Sequence, residues 1–206
     1  AGYASMNSDV QPAASGAPPY FDVLFQLLAR DDPDTRAAFG RHVHWGYWKD
    51  PAKADGTAND YAQAAERLCH KITDAAALAD GLALLDCGCG FGGTIASINE
   101  RYRKMRLVGL NIDGRQLERA RQTILPQNGN SLEWIEGDAC QLPFPDENFD
   151  RVTAVECIFH FPDRGKFFRE ASRVLRPGGI LALCDFIPPE KVTPYLEMES
   201  YNPLLN

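Results

Sequence analysis

No apolar run in the chain approaches the roughly 18 residues that a membrane-spanning helix requires. Nor does a basic stretch, an apolar stretch and a small-residue cleavage site stand near its start. Basic residues are the minority, with 21 Lys and Arg against 28 Asp and Glu and a formal net charge of −7. Phosphate backbones and anionic bilayers attract Lys- and Arg-rich surfaces, so nucleic acid and membrane are not expected partners. These absences read together as a soluble, cytoplasmic protein. Zinc-knuckle spacing is missing as well, although the chain has 6 cysteines. Cys87, Cys157 and Cys184 fall in or beside apolar segments and Cys89 lies among glycines, which reads as reduced thiols serving as small core or loop residues. A zinc set of Cys87, Cys89, Cys157 and His160 is the alternative, and its strand-linked spacing counts against it. His42 and His44 have no carboxylate or cysteine close by in sequence, so no metal is expected.

What is present suffices for one domain of ordinary size: 206 residues, 45% of them hydrophobic. Residues 1–19 are small, polar and rich in Pro and Gly, and are expected to be a disordered or tag-derived tail. Residues 20–80 read as an N-terminal helical extension or lid. It has helical apolar spacing over Tyr20–Arg30 and Asp60–Leu78, with the irregular aromatic stretch HVHWGYW between them. From residue 81 to 206 a regular alternation predicts the core. Strands are expected at Leu82–Cys87, Arg106–Ile112, Leu132–Glu136, Arg151–Glu156 and Ile180–Phe186. Helices are expected near Gly93–Arg103, Arg115–Leu125 and Arg164–Leu175. Such alternation indicates an α/β, Rossmann-like, doubly wound and mainly parallel sheet with helices on both faces. The turn Arg176-Pro177-Gly178-Gly179 should reverse the chain before the fifth strand. Doubly wound domains often carry two further strands, so C-terminal strands are expected to be missing after PLLN.

The densest signal is Leu84–Thr94, LLDCGCGFGGT, an apolar run ending in Asp86 and then clustered glycines. This describes a buried strand opening into a loop whose backbone a ligand can approach. Gly88, Gly90 and Gly93 satisfy G-x-G-x-x-G, yet a dinucleotide site wants an acid at the end of the second strand, where this chain has Asn111.

LLDCGCGFGG resembles motif I of the class I S-adenosylmethionine-dependent methyltransferases, L-D-x-G-C-G-x-G. VGLNID, EGDACQLPFPDENFD, VECIFHF and RVLRPGGILAL resemble four further motifs of that family in order and spacing. HWGYW and the QAAERL helix resemble its small-molecule branch of ubiquinone, tocopherol and macrolide type. The resemblance implies S-adenosyl-L-methionine as cofactor, S-adenosyl-L-homocysteine as product, and a small secondary-metabolite or quinone-like substrate methylated on O, N or C. It places Gly88, Cys89 and Gly90 against the methionine part and Asp86 near the cofactor's amino group. Asn111 stands where most members have Asp or Glu on the ribose, and Ile112 flanks the adenine. Asp138, Ala139 and Cys140 lie at the adenine amino group, with Glu156 and Cys157 facing the methyl. His160 is the candidate base or positioning residue. In HWGYW, Tyr47 and Trp48 are candidates for an aromatic lid near the sulfonium, the alternative being an anchor for the N-terminal helices. The rival readings are a cofactor-binding fold that catalyses another reaction, such as cyclisation, and a macromolecule methyltransferase. No N-P-P-Y-type motif follows the fourth strand. Oligomeric state is not legible.

Overall fold

The computed structural model describes residue 18 and residues 20–186. The expected tail, apart from Pro18, and the region of expected missing strands lie outside the described residues. Five strands form one sheet: β1 (Ala83–Cys87), β2 (Arg106–Asn111), β3 (Ser131–Glu136), β4 (Phe149–Val155) and β5 (Leu175–Cys184). Their order is β3-β2-β1-β4-β5 and every pairing is parallel. β1 is central because the chain winds outward from it in both directions. The crevice at its carboxyl end, between β1 and β4, is the switch point where doubly wound sheets take ligands.

Side-chain alternation along β1 divides the core. Leu85 and Cys87 join Val152, Phe149 and Phe167 on one face, under α6 (Arg164–Val174). Leu84 turns the other way to Ile95 and Ile98 of α4 (Gly93–Arg101). β1 is buried throughout, as a strand covered on both faces must be. α5 (Gly114–Thr123) follows β2 and starts at Asp113, whose carboxylate accepts the Arg115 N–H at 3.0 Å. Before the sheet lie α1 (Tyr20–Ala29), α2 (Pro33–Phe39) and the long α3 (Ala58–Ala75). α3 lays Ile72 against Val155 and Ala182. No helix among the described residues is long and apolar enough to cross a membrane.

Two local features depart from expectation. α2 lies between the Tyr20–Arg30 helix and HVHWGYW, where no element was expected. It is too short for an apolar period, but Asp32 caps it and Pro33 opens it. The Arg176–Gly179 segment lies within β5 and not ahead of it. Phe149 pairs with Leu175 and Arg151 with Ile180, so residues 176–179 bulge from the ladder, with Gly178 at φ +79°. Arg176 donates to Asp150 at 2.8 Å, and Asp150 accepts the Ala83 N–H at 2.7 Å. The bulge is therefore tied to the start of β1.

Candidate functional site

The loop after β1 turns through three left-handed glycines, Gly88 (φ +67°), Gly90 (φ +56°) and Gly92 (φ +81°). A side chain at Gly88 would stand 2.7 Å from Cys157 Cβ, and one at Gly90 would stand 2.6 Å from Val43 Cγ2. The loop is thus closed over by the end of β4 on one side and by the N-terminal extension on the other. Asp86, 1% exposed, points beneath it and accepts the Thr153 hydroxyl at 2.7 Å. Burial pushes its carboxyl up to about 7, with the Thr153 hydrogen bond opposing. A buried acid with one neutral partner is poised to ionise against an incoming cation. Cys157 and Cys89 are buried thiols that burial holds well above the ordinary range. Cys157 Sγ donates to the Cys87 carbonyl at 3.1 Å. Neither is a nucleophile.

At the end of β2, Asn111 Oδ1 accepts the Ile112 N–H at 2.8 Å and Nδ2 donates to Gln116 at 3.0 Å. One lone pair and one N–H of the amide remain. Ile112 projects on the rim, 37% exposed. Asp138 is exposed and accepts the Cys140 N–H at 2.8 Å, forming a turn that buries Ala139 and Cys140.

Glu156 ends β4 in a left-handed conformation, φ +48°, a strain that side chains other than glycine rarely accept. Its N–H donates to the Cys184 carbonyl at 3.1 Å, and its carboxylate accepts the Trp45 N–H at 2.6 Å. Burial raises the carboxyl, Trp45 opposes, and Asp185 adds to the rise. Beyond it, His160 Nε2 lies 3.2 Å from the Tyr20 hydroxyl of α1. Burial lowers the imidazole, with Asp185 opposing. Tyr20 is pushed up to about 12 by burial and then by Cys157. The phenol is therefore the donor and neutral His160 the acceptor.

The HVHWGYW segment stays irregular. Trp48 Nε1 donates to Asp60 at 2.8 Å, and the Tyr47 N–H donates to the Ala64 carbonyl at 2.8 Å, so both face α3. The Lys71 ammonium lies 5.4 Å from the Tyr47 ring centre. It is the backbone N–H of Trp45 that reaches Glu156 at the end of β4, while its ring lies edge-on 6.4 Å from Tyr61. His42 and His44 are buried, and the fold supplies the partners that sequence proximity did not. His42, Glu66 and Cys69 bring one donor atom each within 4.8 Å of one another. Arg41 Nε, however, lies 3.1 Å from the same Glu66 oxygen that His42 contacts.

The family described as "Methyltransferase domain" matches residues 85–183. The methyltransferase GfsG of Streptomyces halstedii is 36% identical over 169 residues, 82% of this chain and 56% of its own length. An O-methyltransferase of Aspergillus nomiae, rstn1, is 31% identical over 177 residues, covering 85% of this chain and 73% of its own length. The chain belongs to the class I S-adenosylmethionine-dependent methyltransferases. Among solved structures, the [4+2]-cyclase SpnF shares the fold with TM-score 0.63 and 28% identity, over 81% of this chain and 60% of that one. The chain spans about half the length of several curated relatives it matches, 52% for one and 53% for another. On the methyltransferase fold, Asp86, Gly88, Asn111, Asp138, Glu156 and His160 all come from the carboxyl ends of β1 to β4. Tyr20 and Asp185, which the sequence did not single out, join them here with the Trp45 N–H of the aromatic segment. The cap of Tyr20 on His160 spans 140 positions and leaves no local pattern.

Proposed function

We propose that the chain transfers a methyl group from S-adenosyl-L-methionine to an O, N or C atom of a small secondary-metabolite or quinone-like molecule. The observation that carries this reading is the neutral His160 capped by Tyr20 on the rim beyond Glu156. Asp86 would hold the cofactor's ammonium, and the loop at Gly88, Cys89 and Gly90 its methionine part. The remaining amide groups of Asn111 would meet the ribose. Ile112 would flank the adenine, with Asp138, Ala139 and Cys140 at its amino group. When bound, the cofactor supplies an activated methyl on a good leaving group, so the protein's own task is alignment and proton handling. For a hydroxyl acceptor, Tyr20 yields its place on His160 Nε2. The acceptor's O–H donates there instead, and the nitrogen keeps that proton as the oxygen gains the methyl carbon. Asp185, which favours the charged ring, stabilises the imidazolium that results. Tyr47 and Trp48 serve as anchors on α3 that present Trp45 to the site, in place of a lid of their own. The acidic charge balance supports a substrate other than nucleic acid and fits a cytoplasmic protein.

The test is incubation with methyl-labelled cofactor and an extract of candidate metabolites, followed by mass spectrometry of the products. Label should appear in a small molecule gaining one methyl. Tight cofactor binding without label transfer would support the cyclisation reading that the likeness to SpnF raises. That reading leaves a proton acceptor at His160 without an evident task.

A further inference from the structure

A continuous hydrogen-bonded chain runs from α3 to Glu156 at the end of β4, and its Glu66, His42 and His44 links lie outside the groups assigned above. Glu66 Oε2 meets His42 Nε2 at 2.7 Å, and His42 Nδ1 meets His44 Nε2 at 3.0 Å. His44 Nδ1 meets the Trp45 carbonyl at 2.8 Å, and the Trp45 N–H donates to Glu156. Ionised Glu66 and the Trp45 carbonyl are both acceptors only. The three links between them need three N–H groups on two rings, and two neutral imidazoles own only two. The chain is complete only when the pair holds one extra proton, as an imidazolium balanced by the Glu66 carboxylate.

We propose that Glu66, His42 and His44 are positioning residues that hold the Trp45 peptide on Glu156 while their chain carries this extra proton, and release it when the proton is lost. Removing the proton leaves one link with two lone pairs facing each other. The carboxylate keeps its donor, and the one N–H left on His44 goes to the His42 ring nitrogen, a stronger acceptor than a peptide carbonyl, so the open link falls between His44 Nδ1 and the Trp45 carbonyl. The groups facing the pair are Arg41 on its own segment, Tyr61, Glu66, Cys69 and His70 on α3, Ser97 and Glu100 on α4, and Glu156 across the Trp45 peptide. Burial, then the charge of His42, presses His44 down to about 4. The hydrogen bonds of His42 and Ser97 and the charge of Arg41 overcome burial and hold Glu66 at about 2. The chain also abuts the glycine loop: a side chain at Gly93 would stand 2.4 Å from His42 Nδ1. The geometry of the chain stands alone, whereas its effect on cofactor binding rests on the function proposed above.

The test uses the full chain labelled with nitrogen-15 at His and Trp, followed by NMR against pH. Three of the four ring nitrogens of His42 and His44 should be protonated when the Trp45 amide shows its short hydrogen bond. Raising the pH should remove one of these protons and shift the Trp45 amide with the same midpoint. Glu66→Gln can donate to a neutral His42, so it should keep the amide in place and abolish its titration. If that variant does not fold, His44→Gln still donates once and accepts once. It should leave a titrating His42 that the amide follows. Two neutral rings with the Trp45 amide still in place, or an unaltered titration in Glu66→Gln, would overturn the proposal. S-adenosylhomocysteine affinity should fall on the alkaline side by at most tenfold per pH unit, and not in Glu66→Gln. An amide that titrates while this affinity stays flat would leave the chain standing and remove Glu156 from the cofactor's contacts.

Discussion

Asp86 and His160 are the residues at which burial sets the chemistry. With its carboxyl near 7, Asp86 is mostly protonated below that pH in the empty protein. On the proposed placement the cofactor's ammonium would ionise it, and binding would release a proton there. S-adenosylhomocysteine affinity should therefore rise as pH increases towards about 7, ahead of the alkaline fall that loss of the His42–His44 proton brings. Titration calorimetry in buffers of different ionisation enthalpy would count the released proton. Asp86→Asn should flatten this rising limb and weaken binding by about 10- to 100-fold, the range of a charge-assisted hydrogen bond. The same raised carboxyl has a stability consequence. The folded state holds its proton more tightly than the unfolded chain, so stability falls as pH rises from the ordinary carboxylate range to about 7. His160 is lowered from 6.5, so the acid limb of turnover for a hydroxyl acceptor should lie below that value. His160→Ala should lower kcat by about 10²- to 10⁴-fold with cofactor affinity unchanged, measured by steady-state kinetics beside calorimetry.

Among the elements, α1 is seated over the site by Phe21 and Phe25 packing on Phe91 and by two polar ties. Tyr20 reaches His160, and Asp22 accepts from Arg115 at 2.8 Å while Arg115 also forks onto the buried Asp113. Asp22 is partly exposed, so Asp22→Ala should cost the core less than about 1 kcal/mol. Hydrogen exchange across residues 20–29 should quicken, and KM for the acceptor should rise while cofactor affinity stays level. The strands and the helices that follow them were legible because each repeats an apolar period over several residues. Leu84, Leu85 and Cys87 declare two buried faces without any knowledge of their partners. α1's spacing announced a helix but not its seat, because Asp22 meets Arg115 across 93 positions. Trp45 is a sharper case. The aromatic density of HVHWGYW was plain, yet that the backbone N–H of Trp45 meets Glu156 depends on how α3 grips Tyr47 and Trp48. At the Arg176–Gly179 bulge the turn residues were legible, but their place inside the ladder follows from pairing with β4.

Across the whole molecule, charge restricts what can approach the carboxyl edge of the sheet. The chain carries a formal net charge of −7, and many of its arginines are already committed. Arg115 and Arg173 hold acids at 2.7 Å, and Arg41 and Arg176 do so at 2.8 Å. A substrate bound through phosphates needs cations that are free to replace its counterions. A protein making six to ten phosphate contacts loses about 10³- to 10⁵-fold in affinity between 50 and 200 mM salt. A small acceptor held by Tyr20, His160 and the neighbouring aromatic rings makes no such exchange. Once a methylated product is in hand, kcat/KM for its acceptor should change by less than about threefold across that salt range, and excess RNA should not compete. A steep loss with salt, or inhibition by RNA, would move the acceptor into the macromolecule class.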